Sequence, residues 1–263
     1  MKPNQNKLEN KLVVVAGGAG EIGERVTRAF MQRGARVLVP SRSKEKLKAL
    51  STHLTDTSAG ALIPLEADVG TPRGLQTLTA AITQEGPLRA AVSAVGSFWQ
   101  GPSALEVPMA EIHSVFQGTF FPYVGLTQVL IPALGPDTHF IKLNGILSLQ
   151  AVPHVSAFGV SATAQMAWTR SLIAEATAST PWITELVIDS LVRTRVRTNL
   201  PQEYISADDI AHEILRIVTE ENEHQIAVIG KGPGDAALKF VPLPSQASES
   251  SLKRLFGSFK AMG

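Results

Sequence analysis

No cysteine occurs in the sequence, which excludes disulfides, thiolate metal sites and cysteine nucleophiles and is compatible with a reducing compartment. A charge excess of either sign is missing too. The 24 Lys plus Arg against 23 Asp plus Glu leave a formal net charge of +1, so no global field draws the chain to nucleic acid or to an anionic membrane. No stretch approaches the roughly eighteen consecutive apolar residues of a membrane-spanning helix. The opening "MKPNQNKLENK" has no apolar core of a signal peptide, so the cytoplasm is the expected compartment. Internal repeats and low-complexity tracts are absent. No Ser, His and Asp set has triad spacing, and no His, Asp and Glu grouping has the spacing of a metal site, so no metal is expected. Any partner is therefore chosen locally, with a small-molecule ligand one candidate and neither nucleic acid nor membrane expected.

Hydrophobic residues, by contrast, make up 44% of the 263 positions, enough for a buried core. Apolar runs of four to eight residues recur at "KLVVVA" (11–16), "ARVLVP" (35–40), "ALIPLEA" (61–67), "RAAVSAV" (89–95), "HFIKLN" (139–144), "ITELVID" (183–189) and "QIAVIG" (225–230). Runs of that length suit strands buried on both faces. Helical spacing fills the intervals 21–33, 71–85, 109–134, 156–178 and 206–220. Strand and helix therefore alternate, which predicts a single α/β domain built on a doubly wound parallel sheet, the Rossmann arrangement. Ser206, with Asp209 three residues later, has the spacing of a capping box at the start of the last helix.

The expected domain runs from residue 1 to 235. Residues 236–263 read as a Pro- and Ser-rich connector followed by a short amphipathic segment. Leu252, Leu255, Phe256 and Phe259 share one helical face there, with Lys253, Arg254 and Lys260 around it. Docking on the same domain or on a sister subunit is the expectation, since a single segment with so few charges is a weak membrane binder.

The first predicted strand runs directly into "AGGAGEIGERVTRAF". Gly17, Gly20 and Gly23 stand three apart, and Gly18, Gly20 and Gly23 spell G-x-G-x-x-G. A strand-to-helix turn of this kind lets backbone approach a pyrophosphate with no Cβ in the way and aims the helix N-terminus at the anion. The same glycines would also serve a tight turn packed for space alone. The second strand ends in Ser41 and Arg42, where NAD sites tend to place an acid for the ribose 2′-hydroxyl and NADP sites an Arg for the 2′-phosphate. NADP is therefore expected over NAD. Glu21 opposes this reading if it points at the phosphates, because a carboxylate there repels them.

Taken together these segments resemble the short-chain dehydrogenase/reductase family from Lys11 to Gly232. "VVVAGGAGEIG" is similar to the family's T-G-x-x-x-G-x-G turn, with Ala16 for Thr and Glu21 for the middle Gly, and its glycines fit T-G-x-x-G-x-x-G equally well. "EADVG" resembles the segment whose Asp68 and Val69 flank the adenine. In "RAAVSAVGSF", Ser93, Ala94, Val95 and Gly96 take the places of N-N-A-G. "VSAFGVSATAQMAWTRSLIAE" resembles the helix that begins A-Y-S-A-S-K-A-A, and "ADDIAHEIL" and "IAVIGKG" the closing helix and last strand.

The resemblance implies a dinucleotide at Gly17, Gly18, Gly20, Glu21, Ile22, Gly23, Ser41, Arg42, Asp68, Val69, Ala94, Val95, Gly96 and Thr194. It also implies four catalytic groups, and each has a position here. The Tyr that protonates the carbonyl falls on Phe158 and the Lys that lowers its pKa on Ala162. The Ser that orients the carbonyl falls on Gly145, or on Ile146 if the alignment slips by one. The Asn of the water relay falls on Val115. The Pro-Gly pair after the sixth strand is Ser190-Leu191.

Losing a positioned general acid costs about 10²–10⁴ in rate. His154, four residues before Phe158, is the one substitute acid nearby, against the plain alternative of a loop histidine. His113 is less favoured. Asn144, Ser148, Gln150 and Ser156 are polar neighbours able to hold a ligand, while Phe98, Trp99, Phe116, Phe120 and Phe121 read as core or pocket wall. Three functions follow: an NADP(H)-binding sensor, regulatory or partner subunit without the Tyr/Lys reaction, an NADP-dependent oxidoreductase using an acid such as His154, or a cofactor-free dimerisation scaffold. The first is favoured. The family's subunit interface implies a homo-oligomer through helices 109–134 and 156–178.

Overall fold

The computed structural model describes residues 8–55, 57, 59–220 and 223–230, and the backbone of 239–241. Seven strands form the parallel sheet: β1 (Leu12–Ala16), β2 (Arg36–Ser41), β3 (Ala61–Glu66), β4 (Leu88–Ser93), β5 (Leu134–Gly145), β6 (Trp182–Ile188) and β7 (Gln225–Ile229). An eighth, β8 (Lys239–Val241), pairs antiparallel with β7. The spatial order is β3-β2-β1-β4-β5-β6-β7-β8. The chain builds outward through β2 and β3, then returns to place β4 on the other side of β1. Between β1 and β4 the winding reverses, and a crevice opens beyond their C-terminal ends, where sheets of this kind take their ligands.

Helices α1 (Glu21–Gln32), α2 (Lys44–His53) and α7 (Ala207–Glu220) cover one face of the sheet, and α3 (Pro72–Glu85), α5 (Phe120–Ala133) and α6 (Ser156–Ala174) cover the other. Helix α4 (Met109–Gly118) packs against α5 and α6. Alternate residues of each central strand feed the two cores. Val13 and Val15 join Phe30 and Ile214 on one side, while Val14 and Ala16 join Leu126 and Met166 on the other.

The capping box is present. Asp209 N donates to Ser206 Oγ at 3.1 Å, and the Asp209 carboxylate accepts from Ser206 N at 2.9 Å. Three features differ from the sequence expectation. The helix predicted over 109–134 is two helices. Thr119, at φ −132° and ψ −61°, turns its hydroxyl back onto the Val115 carbonyl at 2.5 Å, and such local bonding competes with the helical ladder. Helix α2 arises where no element was assigned; Ser43 Oγ caps it by accepting from Lys46 N at 3.2 Å. Finally, β8 lies inside the stretch assigned to a connector, so the sheet runs past residue 235. The amphipathic segment at 252–260 lies outside the described residues.

His139 on β5 carries a pH dependence. Its ring is 1% exposed, and neither nitrogen has a hydrogen-bond partner among the described residues. Burial, then the charge of Arg89, holds its pKa down to about 4 from 6.5. The unfolded chain therefore binds a proton that the folded chain refuses. The stability in question is fully present above pH ~6.5 and is lost as pH falls through about 4, a change of about 3 kcal/mol. Urea denaturation across that range should show the loss, and His139→Leu should flatten it.

Candidate functional site

A cavity of about 450 Å3 occupies the crevice at the C-terminal ends of β1, β4, β5 and β6. Its walls are the glycine turn, residues 94–98 after β4, residues 142–145 of β5, Phe158 and Gln165 of α6, and parts of the loop after β6.

The glycines of the turn have separable roles. Gly17 has φ +85°, and a Cβ there would lie 2.5 Å from the Ala94 carbonyl oxygen. At Gly23 a Cβ would lie 2.1 Å from Gly17 O, and at Gly18 it would press on Thr27, Val15 and Val39. Those three are required by the packing of the turn itself. Gly20 is different: a Cβ would meet only Gly17 O, at 3.2 Å. It lines the cavity as the N-cap of α1, and no side chain caps that helix. An open cradle beneath an uncapped helix N-terminus is what a phosphate needs.

Glu21 also lines the cavity, and its carboxylate is engaged. Thr194 Oγ1 donates to Glu21 Oε2 at 2.6 Å, and Arg197 Nε lies 3.8 Å from the same oxygen. Arg197 N donates to Thr194 Oγ1 at 3.1 Å. The α1 N-terminus is thereby tied to the loop after β6. Ile22, Ala94, Val95, Gly96 and Thr194 border the same space, and Ala94 is fixed by its N–H on the Ala16 carbonyl at 2.8 Å.

Ser41, Arg42, Asp68 and Val69 lie outside the cavity, at the C-terminal ends of β2 and β3. Ser41 Oγ accepts from Ser43 N at 3.2 Å. Asp68 Oδ1 accepts from Gly70 N at 3.0 Å, and Val69 packs on the α3 side of the core. Arg42 is exposed.

Of the positions assigned to the catalytic groups, Gly145 and Phe158 border the cavity. Phe158 packs edge-on against Phe98, with ring centroids 5.7 Å apart. Ala162 is 1% exposed, and its carbonyl accepts from Asn144 Nδ2 at 3.0 Å. Val115 is buried, and Ile146 opens a single 3-10 turn, Ile146–Ser148. His154 is exposed at φ +64° and lies outside the cavity; its carbonyl accepts from Gly101 N at 2.9 Å. His113 and Gln150 are exposed, Ser156 is half-buried, and Ser148 Oγ donates to the Gly145 carbonyl at 2.8 Å. Phe116, Phe120 and Phe121 pack on one another beside Trp168, while Trp99 Nε1 donates to Glu111 Oε2 at 3.0 Å.

The sequence reading missed a buried polar row that reaches the cavity at Lys142. Ser93, Lys142 and Glu185 are register partners across β4, β5 and β6, on the face toward α5 and α6, and all are buried. Asn144 is spent within this layer: its Nδ2 also donates to Glu185 Oε1 at 2.7 Å, and its Oδ1 accepts from Gly145 N at 2.9 Å. Tyr123 lies under Lys142, whose Nζ is 5.0 Å from the ring centroid. Burial lowers the Lys142 ammonium to about 8, opposed by the Glu185 charge, and burial raises the Glu185 carboxyl. The signal was present in "HFIKLN" and "ITELVID", each of which sets one charge in a run expected to be buried on both faces.

A profile described as short chain dehydrogenase matches residues 11–204, and the chain belongs to that family. It is 38% identical over 76 residues to the short chain dehydrogenase/reductase dpmpG of Macrophomina phaseolina, a match covering 29% of this chain and 43% of that protein. Over 261 residues it is 22% identical to dehydrogenase/reductase SDR family member 7B of Danio rerio, covering 89% of this chain and 81% of that one. Among solved structures it resembles an NADPH-bound short chain oxidoreductase of Pseudomonas aeruginosa PAO1 described as containing an atypical catalytic center. There the TM-score is 0.73 at 18% identity, over 84% of this chain and 97% of the other. At that identity the likeness speaks for the fold. No helix among the described residues is long and apolar enough to cross a membrane.

Proposed function

We propose that this chain binds NADP(H) in the crevice and does not run the family's Tyr- and Lys-dependent reduction, serving instead as a nucleotide-responsive sensor, regulatory or partner subunit. The observation that carries the reading is an open Gly20 cradle in the same cavity whose wall includes Phe158 and Gly145. The residues present suit the dinucleotide: Gly20 and the α1 N-terminus toward phosphates, Arg42 toward a 2′-phosphate, Asp68 and Val69 toward the adenine. A bound nicotinamide supplies hydride chemistry. Phe158 and Ala162 have no proton to give to an alkoxide, and Phe158 with Phe98 makes that wall apolar. His154 lies on the surface turn, which favours this reading over an oxidoreductase using it as acid. The P. aeruginosa structure, NADPH-bound and described as atypical at its catalytic center, supports the combination.

NADPH at about a hundred times its Kd should raise the melting temperature by roughly 5–10 °C. No shift and no change in nicotinamide fluorescence would sink the reading in favour of a cofactor-free scaffold. Glu21 tunes that affinity. It is 38% exposed and already engaged by Thr194 and Arg197, so its repulsion of a phosphate is partly screened. Glu21→Gln should tighten NADPH by no more than about fivefold, roughly 1 kcal/mol, in a calorimetric titration. The same reading expects a homo-oligomer through residues 109–134 and 156–178, where Met109, Phe121 and Val160 are exposed.

A further inference from the structure

The cavity floor holds a cation, Lys142, with no hydrogen-bond acceptor among the described residues. Lys142 is 2% exposed and lines the cavity. Among the described residues its contacts are the Tyr123 ring and the field of Glu185; no oxygen accepts a hydrogen bond from it and no carboxylate lies within ion-pairing distance. A buried ammonium without a bonded counter-charge is costly. Glu185, its register partner, accepts from Asn144 through Oε1, while its Oε2 has no hydrogen-bond partner among the described residues. The Gln165 side chain, 4% exposed, borders the same cavity. Among the described residues its Oε1 has no partner, and its Nε2 reaches the Ser161 carbonyl at 3.4 Å. Two buried polar groups therefore face the same space with their hydrogen bonds largely unspent. The apolar part of the cavity wall is Phe98, Phe158, Leu143, Ile188 and Val192, with Val95 and Ile22.

We infer that this floor is a binding site for the carboxylate of a small organic acid with an apolar or aromatic body, its oxygens on the Lys142 ammonium and the Gln165 amide and its body against Phe98 and Phe158. A carboxylate supplies a bonded counter-charge and the missing acceptors. A neutral ligand of the same shape supplies neither. Hydrogen bonds to a charged group are stronger than those between neutral groups, so the acid should bind at least about tenfold tighter than its amide. The site stands whether or not a dinucleotide occupies the rest of the crevice.

The test compares 4-phenylbutyrate with 4-phenylbutyramide on the full chain, by calorimetry and by melting temperature, first without nucleotide and then with NADPH. The acid should bind and raise the melting temperature, the amide should do so at least about tenfold more weakly, and Lys142→Met should abolish the difference. Since Lys142→Met leaves Glu185 without its neighbouring cation, the double variant Lys142→Met, Glu185→Gln supplies a second fold that should also lose the preference. Equal binding of acid and amide, no binding of the acid at millimolar concentration, or a preference that survives both variants would overturn the inference. NADPH binding alone can fail without touching the nucleotide-free comparison.

Discussion

Gly20→Ser is expected to keep the fold and lose NADPH. A serine at the N-cap of α1 accepts a hydrogen bond from the free N–H groups of the first turn, and serine is among the best N-cap residues. Gly20 sits at φ −91° and ψ 174°, a conformation any L-residue adopts. The new Cβ meets only Gly17 O, at 3.2 Å, which asks for a few tenths of an ångström of adjustment. Melting temperature should therefore hold. The hydroxymethyl group, however, fills the cradle and spends the donors that a pyrophosphate would use, so NADPH affinity should fall by at least about tenfold, or roughly 1.4 kcal/mol. Gly23→Ala is the informative contrast. Its Cβ falls 2.1 Å from Gly17 O, so it should damage the fold before it reports on any ligand. If Gly20→Ser binds NADPH as well as the parent chain, the turn is glycine-rich for packing alone.

The second large effect is a gain. Gly145→Ser, Phe158→Tyr and Ala162→Lys together should create weak carbonyl reduction with NADPH. Gly145 and Phe158 already face the cavity, and Ala162 is one helical turn beyond Phe158 on the buried side of α6. A restored general acid is worth about 10²–10⁴ in rate. Groups that act as a unit do not contribute additively, so Phe158→Tyr alone should recover little. Turnover in the triple variant at least about a hundredfold above the parent supports the alignment of these positions. Continued silence, in a variant that still binds NADPH, would count against the alignment of these positions.

The parallel sheet was legible because buried strands and amphipathic helices alternate in period and composition. The cavity's rim was legible for the same reason: the glycine turn and residues 94–96 follow strands whose positions the apolar runs fix. Other features needed three dimensions. The break at Thr119 is a single side chain turning back on the Val115 carbonyl, inside a stretch whose apolar spacing reads as one helix. Strand β8 depends on pairing with β7, and three residues carry no period of their own. Lys142 and Glu185 were visible as charges in apolar runs, but their meeting depends on the register of β5 against β6, which no local pattern encodes. Glu21 shows the limit from the other side. Its charge was legible, while its bond to Thr194, 173 positions away in sequence, was not.

The central claim is a crevice that holds reduced nicotinamide where Phe158 and Ala162 stand in the places of the family's Tyr and Lys. The most direct measurement incubates the unmodified chain with NADPH and a panel of aldehydes and ketones, following nicotinamide fluorescence for binding and absorbance for oxidation. The account predicts bound NADPH that stays reduced throughout. Sustained oxidation with any carbonyl, at a rate that scales with protein, would contradict it.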